Sequence, residues 1–155
     1  MTLSDFGRVV LIGAGRMGGA LARGWLAHGL PPGALDVVDP RRPELASAGW
    51  RWSATLAGLA DEPSPDVILL ATKPQQAAEV LEQLGETVGG NRWGEALLIS
   101  IAAGVPLAAL ESTGCRAVRA MPNLPAEIGR GITALAAGRG VDERCMEMAR
   151  ALFSA

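Results

Sequence analysis

An apolar segment that runs straight into a glycine-rich turn and then into a helical pattern is the strongest constraint on the fold of this chain. Residues 8–12 are followed by Gly13, Gly15 and Gly18, in the spacing Gly-x-Gly-x-x-Gly. The first glycine permits a tight turn, the second lets a ligand approach the backbone, and the third lets the helix pack closely on the sheet. Free amides and the dipole at the start of such a helix favour an anion. The segment therefore predicts a site for the diphosphate of a dinucleotide.

Strand-like and helical segments alternate along the rest of the chain. Continuous apolar runs such as residues 66–71 are typical of parallel strands covered on both faces. The further strand-like segments are 35–39, 50–52, 66–71, 96–101 and 115–120. Helical patterns lie at residues 17–25, around Pro43 to Ala48, from Pro74 onwards, near Pro106 and from about Val141. The alternation predicts an α/β fold, a Rossmann-type, doubly wound and mainly parallel sheet formed by residues 1–155 as one domain.

Composition and charge narrow the classes of partner. The chain has 155 residues, of which 49% are hydrophobic and 19% charged, as in ordinary globular proteins. A net charge of −2 argues against binding nucleic acid by neutralising its phosphates. We find no signal peptide and no apolar run of membrane-spanning length. These properties lead us to expect a cytoplasmic protein whose partner is a small molecule, with no nucleic acid and no membrane.

The reactive residue types have structural explanations. Cys115 and Cys145 match no metal-ligand or redox spacing and lie in apolar-patterned segments, so we expect both in the core and predict no metal site. His28 precedes Gly29 at the end of a helical pattern, which suits a helix C-cap better than a catalyst. The spacing of the four tryptophans indicates packing residues and no aromatic cage.

In doubly wound sheets, ligands bind outside the carboxyl ends of the strands. The segments that meet at this edge are residues 14–18, 39–42, 71–74, 102–104 and 121–123. Their many small residues favour close approach of a ligand, although small residues also suit loops that merely turn the chain. We take this edge as the candidate site.

The choice of nicotinamide cofactor stays open at this point. Asp39 lies about 20 residues after Gly18, where a carboxylate accepts hydrogen bonds from ribose hydroxyls and disfavours a 2′-phosphate. Arg41 and Arg42 favour the phosphate, because one nearby arginine offsets the charge of an aspartate. The two arginines equally suit a solvated helix start. The sequence predicts NADPH or NADH without deciding between them.

Five motifs, taken in their order and spacing, resemble the pyrroline-5-carboxylate reductase family over essentially the whole chain. They are IGAGRMG at 12–18, ATKPQ at 71–75, SIAAGV at 100–105, RAMPNLPA at 119–126 and GRGITA at 129–134. The first motif is common to many dehydrogenases, whereas the later ones in combination are specific to this family. The resemblance implies hydride transfer from NAD(P)H to the imine carbon of 1-pyrroline-5-carboxylate, which gives L-proline.

The resemblance also implies roles for individual residues. The diphosphate would be wrapped by residues 12–17, the riboses would lie over 71–74, the nicotinamide would contact 101–103, and Asn123 would lie near the reacting ring. The full expected cofactor set is Ile12, Gly13, Ala14, Gly15, Arg16, Met17, Gly18, Asp39, Arg41, Arg42, Ala71, Thr72, Lys73, Pro74, Ile101, Ala102, Ala103, Met121, Pro122 and Asn123. No catalytic acid is assigned, because positioning the two reactants matters more here.

Members of this family continue into a helical second domain that forms homodimers or higher oligomers and contacts the substrate carboxylate. Nothing in these 155 residues matches that domain, so we expect the chain, by itself, to bind nucleotide with little or no turnover. The helix from about Val141 would lead toward it. Glu127 and Arg130 are candidates for substrate contact, although a solvated loop pair is the plainer interpretation.

Two other functions remain open. A β-hydroxyacid dehydrogenase or a deazaflavin-dependent NADP reductase would share the opening motif, but the run Met121-Pro122-Asn123 favours the imine reductase. A non-catalytic nucleotide-binding or sensing module is the alternative from a different class, because a Rossmann fold does not dictate chemistry.

Overall fold

The computed structural model describes residues 1–90, 93–123 and 133–154. Within these residues seven strands form one sheet in the order β3-β2-β1-β4-β5-β6-β7. The strands are β1 (Val9–Ile12), β2 (Leu35–Val38), β3 (Arg51–Ser53), β4 (Val67–Leu70), β5 (Leu97–Ser100), β6 (Arg116–Pro122) and β7 (Thr133–Ala137). All pairs from β3 to β6 are parallel, and β7 is antiparallel to β6. The predicted Rossmann-type, doubly wound architecture is confirmed.

Helices cover both faces of this sheet. They are α1 (Arg16–Ala27), α2 (Pro74–Gly89), α3 (Leu107–Glu111) and α4 (Glu143–Phe153). Alternate strand residues enter different core clusters, so that Leu11 packs with α1 and α4 while Val10 packs with α2 and α3. The strands β1, β2, β4 and β5 are buried along their whole length. This burial on both faces accounts for the continuous apolar runs in the sequence.

The structure differs from the sequence expectations at two places, one a helix that does not form and the other a strand that was not expected. Residues 43–48 form no helix and are irregular, and Gly49 follows them with a φ of +101°. A six-residue segment with Leu45 as its one large apolar residue has too few hydrogen bonds and contacts to offset helix nucleation. The second difference is β7, which was not predicted. Its sequence, Thr-Ala-Leu-Ala-Ala, is mostly alanine, a residue depleted in strands, so pairing with β6 rather than propensity determines it.

The helix ends agree with the sequence. His28 is the C-cap of α1, its Nδ1 lies 2.8 Å from the carbonyl oxygen of Gly24, and Gly29 has a φ of +108°. Helix α4 begins two residues after the predicted position. There Asp142 accepts a hydrogen bond from the amide of Cys145, which lowers the pKa of the carboxyl group.

Both cysteines and two of the four tryptophans lie in the core. Cys115 and Cys145 are both buried, and desolvation raises the pKa of each thiol. Trp25 and Trp93 are fully buried, whereas Trp52 is exposed. No group of metal-ligating side chains occurs in the described part of the chain. In the same part, no helix combines the length and the apolar character needed to cross a bilayer.

Candidate functional site

The carboxyl ends of β1, β2, β4 and β5 bring the predicted segments together at one edge of the sheet. The order of the strands reverses between β1 and β4, which are adjacent although two strands separate them in sequence. Gly13 follows β1 and Ala71 follows β4, so the glycine-rich loop and the loop after β4 face each other across this switch point. Open α/β sheets bind their ligands at such a point.

The three glycines of the loop differ in what surrounds them. Gly13 has a φ of +92°, and a Cβ on it would lie 2.8 Å from the carbonyl carbon and oxygen of Ala71. A Cβ on Gly18 would clash with the main-chain oxygen of Gly13, so only glycine allows helix α1 this close to the loop. Gly15 differs, because a Cβ there would meet nothing within 4 Å. Two glycines are therefore required by packing, while Gly15 leaves an open space in front of α1.

Asp39 anchors the neighbouring loop. Its carboxylate oxygens each accept one main-chain amide hydrogen bond of 2.8 Å, one from Ala14 and the other from Arg41. The indole of Trp52 donates to the carbonyl oxygen of Asp39 at 2.9 Å. The carboxylate thus joins the end of β2 to the glycine-rich loop.

The two arginines after Asp39 are both exposed but differ in their contacts. The Arg42 guanidinium lies 5.4 Å from the centroid of the Trp50 ring, within cation–π range. The main-chain amide of Arg41 donates to Asp39, and the side chain of Arg41 is exposed.

Two clefts open on either side of the switch point. The first, of about 260 Å³, lies between the end of β2 and helix α2. Its lining residues are Ile12, Gly13, Val38, Asp39, Pro40, Ala54, Thr55, Leu56, Thr72, Gln76, Glu79, Val80 and Gln83. The second, of about 290 Å³, is lined by Met17, Ala71, Thr72, Pro74, Ile101, Ala102, Ala103, Met121 and Pro122. Six of the residues that line the first cleft are polar or charged, whereas Thr72 is the one polar residue among those described in the lining of the second.

Thr72 lines both clefts, and its hydroxyl is unusual. The Oγ1 atom is inaccessible to solvent and has no hydrogen-bond partner among the described residues. Buried polar atoms without a partner are rare and call for an explanation such as a ligand. Thr72 as a residue thus forms part of the wall shared by the two clefts, with its hydroxyl turned into that wall.

Other predicted residues lie at this edge without lining either cleft. Lys73 and Asn123 are exposed, at the N-cap of α2 and directly after β6. Arg16, the first residue of α1, is also exposed. Residues 124–132 lie outside the described residues. They include Glu127, Arg130 and parts of the motifs at 119–126 and 129–134.

Sequence reasoning missed one wall of the first cleft. Thr55 follows β3, while Gln76 and Glu79 come from the first turns of α2. The amphipathic pattern of α2 could have predicted this wall. The helix begins at the carboxyl edge of the sheet, so polar residues in its first turns lie beside the cleft.

This fold, with its glycine-rich loop between two clefts at the switch point, defines the class of Rossmann-type dinucleotide-binding domains. The chain belongs to the family described as "NADP oxidoreductase coenzyme F420-dependent", whose model matches residues 8–104. The sequence is similar to curated pyrroline-5-carboxylate reductases. It is 36% identical to the one from Methanosarcina acetivorans, over 96% of this chain and 56% of the relative. It is 34% identical to the one from Mycobacterium tuberculosis, over 99% and 54%.

Solved structures of reductases with similar names also resemble this chain. A pyrroline-5-carboxylate reductase from Coxiella burnetii matches with a TM-score of 0.83 and 28% identity, over 96% of this chain and 56% of that one. The Plasmodium falciparum pyrroline carboxylate reductase with NADP bound matches with a TM-score of 0.79 over 97% and 55%, and its 24% identity shows a shared fold. The chain therefore spans about half the length of the relatives it matches.

Proposed function

We propose that this chain is the cofactor-binding part of a pyrroline-5-carboxylate reductase. The observation that carries the proposal is the similarity to reductases of this name over 96–99% of the chain, including the strand that ends in Met121 and Pro122. NADH or NADPH would supply a hydride for the imine carbon of 1-pyrroline-5-carboxylate, with L-proline as the product. The substrate, the activity and the cofactor are all part of the proposal.

The residues at the carboxyl edge fit a dinucleotide. The open space at Gly15 lets a diphosphate approach the first amides of α1, where the helix dipole favours negative charge. The first cleft has the polar side chains that could hydrogen-bond the adenosine half, and the second, where Thr72 is the one polar residue among those described, suits the nicotinamide ring. Thr72 lines both clefts, and rotation of its side chain would turn the hydroxyl, which has no partner among the described residues, toward the junction of the two halves.

The second cleft would position the reactants rather than supply an acid. None of its described lining residues is ionisable, and Met17, Ile101 and Met121 present apolar surface that excludes water from a flat ring. Hydride transfer depends chiefly on bringing the two carbons close together in a dry site. Asn123 follows Pro122, which lines this cleft, so we keep it as the residue nearest the reacting ring.

The remaining expectations from the resemblance extend the proposal. A helical domain would form the dimer and contact the substrate carboxylate, and residues 1–155 alone would bind nucleotide with little or no turnover. The two unpaired thiols support a reducing compartment such as the cytoplasm.

A second candidate is a deazaflavin-dependent NADP reductase, which the description of the matching family favours. That match ends at residue 104, whereas similarity to the named pyrroline-5-carboxylate reductases continues to the end of β6 and beyond. The longer similarity favours the imine reductase.

Nucleotide titration of this chain by calorimetry tests the cofactor site. We expect submillimolar binding of NADH or NADPH, lost in Gly15→Asp because a carboxylate would occupy the space proposed for the diphosphate. Gly33→Asp is the matched control, since a Cβ there also meets nothing within 4 Å and the residue lies away from the loop. Equal binding by Gly15→Asp and by the unaltered chain would contradict the site.

The reaction itself is tested with the complete reading frame that contains this chain. Its product should reduce 1-pyrroline-5-carboxylate and restore growth of a proline auxotroph that lacks this reductase. Reduction of a deazaflavin without activity on the imine would favour the second candidate.

A further inference from the structure

We propose that Glu79, on the wall of the first cleft that α2 forms, recognises the 6-amino group of the adenine base, and that Gln83 positions its carboxylate for this contact. The inference rests on the proposed function, because it assigns residues of the same cofactor site. Adenine is common to NADH and NADPH, so the inference is independent of the choice between them.

One face of helix α2 forms this wall. Gln76, Glu79, Val80 and Gln83 all line the first cleft. Their spacing of three, four and seven residues places them side by side along the helix. Glu79 is the one charged residue among them, whereas the other charged residue in the described lining, Asp39, comes from the end of β2. The wall therefore presents one obligate hydrogen-bond acceptor to a ligand.

The contacts of Glu79 leave its carboxylate able to accept from a base. The Nε2 atom of Gln83 donates to Oε1 of Glu79 over 3.4 Å, which holds the two side chains together on the face that lines the cleft. No other hydrogen bond or ion pair of Glu79 occurs within the described ranges. A carboxylate has about four acceptor positions, so most of them stay unused.

The remainder of the cleft suits a flat ring with a polar edge. Ile12, Val38 and Leu56 are buried residues that give the lining apolar surface for the faces of such a ring. The 6-amino group of adenine is a donor at the edge of the base. A carboxylate accepts and cannot donate, so it matches this group. Hypoxanthine carries a keto oxygen at the same position, and two acceptors would then face each other without a hydrogen between them.

Calorimetric titrations with NADH and NADPH, and with the hypoxanthine analogue of each, test this inference. We expect the unaltered chain to bind the adenine dinucleotides about tenfold more tightly than their analogues, the scale of one hydrogen bond to a charged group. In Glu79→Gln this ratio should fall toward one, because a glutamine amide donates to a keto oxygen as well as accepting from an amino group.

The positioning role of Gln83 has its own measurement. In Gln83→Ala the ratio should fall part of the way, since Glu79 loses the contact that holds it. The hypoxanthine analogues should bind this variant as they bind the unaltered chain, which a general loss of structure would not allow. An unchanged ratio in Gln83→Ala removes Gln83 from the inference.

A smaller ligand isolates the amino group. Purine riboside 5′-monophosphate differs from 5′-AMP only in lacking that group. It should displace bound NADH less well than 5′-AMP does from the unaltered chain, and equally well from Glu79→Ala. Glu82→Gln is the matched control, since it removes the same charge from the same helix at an exposed position that does not line the cleft. Its ratio should stay at about tenfold.

Each outcome decides. Equal binding of adenine and hypoxanthine dinucleotides by the unaltered chain overturns the inference and leaves the proposed function standing. An unchanged ratio in Glu79→Gln, with circular dichroism showing a folded protein, removes Glu79 as the residue that recognises the base. An equal fall in Glu82→Gln would show a general effect of charge and overturn the contact. Should none of the dinucleotides bind, the cofactor site of the proposed function fails and this inference fails with it.

Discussion

The two edges of the central sheet are built in opposite ways. At the carboxyl edge the chain places glycines, alanines and main-chain amides around two open clefts. At the amino edge it places charged side chains that are bonded to one another. Asp36 of β2 is fully buried there, and it accepts hydrogen bonds from Arg8 at 2.6 Å and from Arg51 at 2.5 and 2.9 Å. The carboxyl edge holds the open clefts of the proposed ligand site, and the amino edge holds side chains that join the strands to one another.

The amino-edge cluster links four parts of the chain. Arg8 precedes β1, donates to the carbonyl oxygen of Pro63, and places its guanidinium 5.3 Å from the centroid of the Trp93 ring. Arg51 begins β3, and its hydrogen bonds to Asp36 raise its pKa above the usual arginine value. Asp66, before β4, accepts from the amides of Gly7 and Arg8. Stability and binding are thus assigned to different edges, which makes the comparison testable.

Removing the buried carboxylate of Asp36 should have the largest effect on the stability that the amino edge provides. In Asp36→Ala the Arg8 side chain, 10% exposed, would lose its charge partner inside the protein. We expect the free energy of unfolding to fall by about 3–5 kcal/mol, measured by urea denaturation. Nucleotide affinity of the folded fraction should stay the same, because the change lies at the opposite edge.

The double variant Arg8→Met with Asp36→Leu is the control for this prediction. It removes both charges instead of stranding one, so it should be less destabilised than Asp36→Ala. Arg51, whose side chain is 45% exposed, can then turn to water. A double variant that is as unstable as the single one would show that shape, rather than a stranded charge, carries the effect.

At the carboxyl edge, Gly18→Ala should affect both properties. Its Cβ would meet the main-chain oxygen of Gly13, which cannot move without displacing the glycine-rich loop. We expect a loss of about 1–3 kcal/mol in thermal or urea unfolding, together with weaker nucleotide binding.

Gly19→Ala, one position further along α1, is the matched control. Its Cβ would meet the flexible end of Arg23 at 3.3 Å, while alanine favours a helix over glycine by about 0.8–1 kcal/mol. The expected stability is unchanged or slightly higher. Equal losses in the two variants would refute the close contact of α1 with the loop as the reason for Gly18.

The sequence predicted the carboxyl edge better than the amino edge, and the reason is physical. Gly13, Gly15 and Gly18 are close in sequence. The turn, the space for a ligand and the contact of the helix with the loop are each features of this one short segment, so its own sequence can predict them. The parallel strands were equally visible, because burial on both faces leaves continuous apolar runs. Local patterns of this kind determine most of the fold and predict the position of the candidate site.

The bonds between distant segments could not be predicted in this way. Asp36 and Arg8 are 28 positions apart, and nothing in either local sequence shows that the strand register brings them together. The same holds for Asp39 and Ala14, 25 positions apart, where the sequence located the carboxylate but not the amides that it holds. The strand β7 depends on its partner β6 for the same reason.

Two threonines whose hydroxyl groups are buried, one at each edge, test the comparison with the smallest change. The hydroxyl of Thr113, near the start of β6, donates to the carbonyl oxygen of Leu110 at 2.7 Å and accepts from the amide of Cys115 at 3.3 Å. The hydroxyl of Thr72 has no partner in the described part of the chain. Replacing each residue with valine removes the same atom from a bonded and from an unbonded environment.

Thr113→Val should lower the free energy of unfolding by about 1 kcal/mol and leave nucleotide affinity unchanged, because it breaks bonds within the protein. Thr72→Val should leave stability unchanged within about 0.5 kcal/mol, since no hydrogen bond among the described residues is lost. It should weaken nucleotide binding by about tenfold, because valine has no hydroxyl to turn toward the ligand. Urea denaturation and calorimetric titration of both variants measure these quantities. If Thr72→Val bound nucleotide as tightly as the unaltered chain, its buried hydroxyl would have no role in the ligand site, and the junction between the two clefts would need a different explanation.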